Sequence, residues 1–169
     1  TLVHEQGQTN EPASSNPRPE AVAAVQGQSE PPSTVWTLNR DHVQFPEEPL
    51  AGRLQGTSFV GGSFRYRSGN LSITAPDGRG FTIRLGLKRG ERLSGTSYTV
   101  TPSDDVPKCR VSVSWEQDGN PTTERIARGY AMKLEFGVAS HNRLPGKLYL
   151  CLPGAAKNYV AGSFTLHAR

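Results

Sequence analysis

No run of apolar residues in this chain approaches the roughly 18 that a membrane-spanning helix requires, so no such span is expected. Histidine is scarce and scattered. His4, His42, His141 and His167 show no HxH, HxxxH or Cys–His spacing. A structural zinc site needs three or four converging ligands, so no metal or other cofactor is expected. There is no GxSxG elbow, and GGSF (61–64) lacks the strand–turn–helix setting that would make it one. The adjacent carboxylates Glu47-Glu48 and Asp104-Asp105 stand beside proline in turn-like sequence. They read as solvated loop charges, not as an acid–base pair or a patterned calcium loop. The chemistry thus missing points away from an enzyme.

Apolar residues make up 34% of the 169 positions and aromatics 8%, and the shortage is concentrated at the N-terminus. Residues 1–33 hold no aromatic and are rich in Pro, Ser, Gln and Glu. Such a composition cannot bury enough apolar surface to offset the entropy of ordering. It predicts a disordered linker, with order starting near Thr34. Linkers of this kind tether a domain to an anchor or a neighbour. Glu5, Glu11, Glu20 and Glu30 against Arg18 make this stretch net −3, so the +4 of the whole chain leaves +7 on the remainder. A domain of that charge attracts anionic partners.

What the chain does have is 18 glycines, 13 prolines and many short alternating runs, which disfavour a helical protein. The densest alternation is RLPGKLYLCLPGAAKNYVAGSFTLHAR (143–169). Leu148, Leu150 and Leu152 share one face, with Lys147, Tyr149 and Cys151 on the other, and Val160, Phe164 and Leu166 resume after a short turn. This predicts a hairpin at the centre of a sheet. Earlier runs read as strands in TVWTL (34–38), with Trp36 as a core anchor, in DHVQF (41–45), and in RLQGTSFVGG (53–62), taken as one strand broken by glycine. SFRYR (63–67) and LSIT (71–74) flank a tight turn. FTIRLGLK, SYTVT and CRVSVSW follow, separated by turn signals. TERIARGYAMKLEFG (123–137) reads as one long strand with a bulge at Gly129. About ten strands at this spacing predict an all-β fold: a single antiparallel β-sandwich, jelly-roll-like, over residues 34–169.

Three sets of residues carry the functional expectations. Cys109, in phase with Val111 and Val113, and Cys151, opposite the leucines, form either one disulfide or two buried thiols; a bridge implies an oxidising compartment. Arg65, Arg67, Arg84, Lys88, Arg110 and Lys133 fall opposite the apolar positions and make a basic stripe if their strands are neighbours, suited to sulfate, phosphate or an anionic glycan. The aromatics Phe64, Tyr66, Phe81, Tyr130 and Phe136 share the inner parity instead, so stacked nucleic-acid bases are disfavoured. Tyr149, Tyr159 and Trp115 are the candidates for a flat aromatic sugar platform. The expectation is a non-catalytic binding or assembly module outside the cytoplasm (periplasmic, cell-surface or secreted), with protein or an anionic glycan as partner. A carbohydrate-binding module of a larger glycan-active protein and an enzyme with a loop-built site are the alternatives.

Overall fold

The structure is a computed structural model, and the residues it describes are 36–39, 45–87 and 91–167. The expected linker (1–33), the start of order near Thr34, and Lys88 lie outside them. Among the described residues there are eleven strands and no helix: β1 (Ala51–Leu54), β2 (Thr57–Val60), β3 (Ser63–Arg67), β4 (Asn70–Thr74), β5 (Gly80–Arg84), β6 (Ser97–Val100), β7 (Arg110–Gln117), β8 (Asn120–Ile126), β9 (Ala131–Phe136), β10 (Arg143–Cys151) and β11 (Tyr159–His167). They make two antiparallel sheets, β2-β1-β11-β10-β9-β6 and β3-β4-β5-β7-β8, which pack as a β-sandwich.

The C-terminal hairpin is central, as its leucines predict. β11 lies between β1 and β10, and β10 between β11 and β9. Leu148, Leu150, Leu152, Val160, Phe164 and Leu166 all point into the space between the sheets, where they meet Leu71, Ile73, Phe81, Ile83, Val111 and Val113 of the second sheet. Aromatic pairs span the gap. Phe59 and Phe81 lie 5.7 Å apart, and Phe64 stacks on Phe164 at 5.5 Å. Phe136 meets the same Phe164 edge-on at 6.1 Å. Gly146 makes room for that cluster, because a Cβ there would stand 2.4 Å from the Phe164 ring.

Three expectations need correction. Residues 53–62 are a hairpin, β1–β2, not one broken strand. Gln55 (φ 51°) and Gly56 (φ 73°) supply the left-handed pair that a two-residue turn needs. Residues 123–137 are two strands in different sheets, since β8 closes one edge of the five-stranded sheet and β9 lies inside the other. The chain changes sheet at Ala127–Tyr130, where Gly129 is left-handed (φ 79°) and the buried Tyr130 hydroxyl donates to the Cys109 carbonyl. Trp36 is not part of a strand and does not enter the inter-sheet core. With Leu38 and Phe45 it covers the outer face of the six-stranded sheet, over Ala131, Tyr149, Cys151 and Ala161. Its indole Nε1 donates to the Leu152 carbonyl at 3.0 Å, and the Tyr149 hydroxyl donates to the Thr37 carbonyl. This arm is a third layer on one side of the sandwich.

A candidate anion-binding face

The outer face of the five-stranded sheet is assembled by register. Arg67 pairs with Asn70, Asn70 with Arg84, and Arg84 with Arg110, which makes one row across β3, β4, β5 and β7. The next row runs Arg65, Ser72, Thr82, Ser112 and Arg125 across all five strands. A third is Ser63, Thr74, Gly80, Ser114 and Thr123. Alternation along each strand puts all of them on the side away from the core. The face is therefore five exposed arginines around a floor of small hydroxyl and amide side chains. Ser72 and Thr82 share a hydrogen bond of 3.1 Å across that floor.

Two clefts open here. One, of about 590 Å³, is lined by Thr82, Arg84, Asp105, Arg110, Ser112 and Arg125 among others. The other, of about 390 Å³, is lined by Arg65, Arg67, Ser68, Asn70 and Ser72. Asn70 lines both. None of the five arginines has a carboxylate within ion-pairing distance among the described residues. Arg84 stands directly opposite Arg110 on the neighbouring strand. Like charges directly opposite one another destabilise a sheet, and a bound anion would relieve that repulsion.

Of the expected stripe, Arg65, Arg67, Arg84 and Arg110 lie on one face of neighbouring strands. Lys133 does not. It lies on the outer face of the other sheet, 3.0 Å from Glu135 and over the ring of Phe45. Arg125 also belongs to this face and was missed, although its place beside the buried Ile126 gives it the outward parity.

The aromatic candidates do not form a platform. Tyr149 is 1% exposed beneath the arm, and burial raises its hydroxyl well above the usual tyrosine range. Tyr159 is half-buried at the margin of the same cluster. Trp115 is half-buried on the inner face, packed against the core.

Of the two alternatives for the cysteines, the structure has the buried thiols and not the bridge: Cys109 and Cys151 are both free and buried. Cys109 belongs to the inter-sheet core, whereas Cys151 points to the outer face of the six-stranded sheet, under the arm. The sheet itself separates them, which the geometry of a bridge cannot accommodate. Burial pushes the Cys109 thiol up to about 11 and also raises Cys151. Neither thiol is expected to react with a disulfide reagent in the folded chain at neutral pH, and both are expected to react once it is denatured. Replacing Trp36 with alanine should expose Cys151 alone. Equal labelling of both thiols in the native protein would contradict this arrangement.

No protein-family model, curated protein or solved structure matches the chain.

Proposed function

We propose that this domain is a non-catalytic binding module, working outside the cytoplasm on a linker, whose five-stranded sheet holds an anionic glycan. The observation that carries the reading is the Arg84–Arg110 pair, two arginines directly opposite one another on neighbouring strands with no carboxylate in ion-pairing distance among the described residues, on a face that carries three more arginines. Local rules are broken in this way where function requires it. Guanidinium forks match sulfate and carboxylate groups in bidentate fashion. The hydroxyl and amide floor suits a polymer that carries hydroxyls of its own.

The reading is non-catalytic because arginine cannot release its proton, and Asp105 is the single carboxylate in the larger cleft. Nucleic acid is the weaker reading, since no aromatic side chain stands in these rows to stack on a base. The location outside the cytoplasm rests on the tether-like composition of residues 1–33 alone, because the free thiols contribute nothing to it.

The test is calorimetric titration with heparin at low salt. Arg84→Ala, Arg110→Ala and Arg125→Ala combined should weaken binding about 100-fold, taking about 1 kcal/mol for each charged contact at an exposed face. Binding should also weaken as salt rises. Lys133→Ala with Lys147→Ala, on the opposite sheet, should leave it unchanged. Heparin that fails to bind the unaltered domain, or that loses as much affinity with the lysine pair, refutes the assignment.

A further inference from the structure

Resting on that reading, we infer the ligand's shape: a linear sulfated or carboxylated polysaccharide that lies across the strands and is gripped at two separate arginine stations. One station is Arg65 and Arg67 on the edge strand β3, at the smaller cleft. The other is Arg84, Arg110 and Arg125 on β5, β7 and β8, at the larger cleft. Between them β4 contributes no cation, only Asn70, Ser72 and Thr74. Neighbouring strands are about 4.8 Å apart, so β3 lies about 10 Å from β5, about 14 Å from β7 and about 19 Å from β8. A single anionic sugar cannot cover both stations from end to end; an extended chain can.

Register sets the direction of that chain. The arginines follow the rows across the strands, and the row beyond them is Ser63, Thr74, Gly80, Ser114 and Thr123, followed by Glu116 opposite Pro121. A polyanion running along the strands toward Ser63 and Glu116 leaves the cations within one residue pair, whereas one running across them meets cations on β3, β5, β7 and β8. Asn70, shared by both clefts, marks the path between the stations. Its amide can both donate to and accept from sugar hydroxyls.

The experiment is titration with size-graded heparin oligosaccharides, from the disaccharide upward, at fixed salt. Chains too short to reach both stations should bind weakly. Affinity should then jump by about tenfold or more at the length that spans them, because the second contact becomes intramolecular. Arg65→Ala with Arg67→Ala should abolish the jump and leave short-chain affinity within about twofold, since that variant keeps the first station intact. Affinity that climbs smoothly with length, or a jump that survives the double variant, overturns the two-station inference while leaving the binding reading in place. No binding at any length overturns the binding reading itself. A single-stranded oligonucleotide of equal charge that binds as tightly as the spanning heparin chain overturns the assignment to a polysaccharide.

Discussion

Phe164→Ala lowers the free energy of unfolding by about 3–5 kcal/mol, the range for deleting a buried aromatic ring. The ring stacks on Phe64 from the opposite sheet and meets Phe136 from its own. Its loss leaves a cavity at the point where the two layers grip each other. Gly146→Ala is also destabilising, by about 1–3 kcal/mol, because it drives a methyl group into that ring. The two effects are not additive. With the ring removed, the added methyl has space, so the double variant is more stable than the sum of the singles predicts. Urea unfolding of the four proteins measures this. A Phe164→Ala loss under about 1 kcal/mol, or strict additivity, would show that the stack does not join the sheets in this way.

The domain also loses stability steeply in alkali. Burial raises the proton affinity of Cys109, Cys151, Tyr130 and Tyr149 in the folded state. In the unfolded chain thiols ionise near 8.5 and phenols near 10. A raised folded value favours the protonated native form, so the stabilisation is complete below the unfolded values and is lost as pH climbs past them. Each such group contributes a slope of about 1.4 kcal/mol per pH unit. The two thiols act from about pH 8.5 and the two phenols join above about pH 10; Cys109 stops contributing above its own folded value of about 11. Urea midpoints should therefore decline above about pH 8.5 and about twice as steeply above about pH 10. Tyr149→Phe should flatten the second decline. If tyrosinate absorbance shows all five tyrosines of the folded chain ionising together near pH 10, the buried phenols are not held as described.

The hairpin could be read in advance because period-two alternation is a direct record of which side is buried, and Leu148, Leu150 and Leu152 left no doubt of the side. The same signal misled at β8–β9. Ile126, Tyr130 and Met132 are all core-facing and separated by even numbers of residues, so the alternation runs unbroken through the point where the backbone leaves one sheet for the other. Alternation reports burial and is blind to which layer does the burying. Trp36 shows the same limit: its apolar character announced a buried contact, yet that contact lies outside the sandwich. The arginine face was half legible. Parity placed Arg65, Arg67, Arg84 and Arg110 on outer faces. Register between distant strands, which is set by packing and turn geometry, decided that these four and Arg125 share one face and that Lys133 does not.

The row from Arg65 to Arg125 ends on β3 and β8, the two edges of the five-stranded sheet. An uncovered edge offers unpaired backbone groups to any strand of another molecule. Arg65 and Arg67 on one edge, and Arg125 with Pro121 on the other, are the residues that frustrate such pairing by repulsion and by a missing donor. The arginines of this face therefore also oppose edge-to-edge pairing between copies of the domain, and a sequence that neutralised them would remove that obstacle.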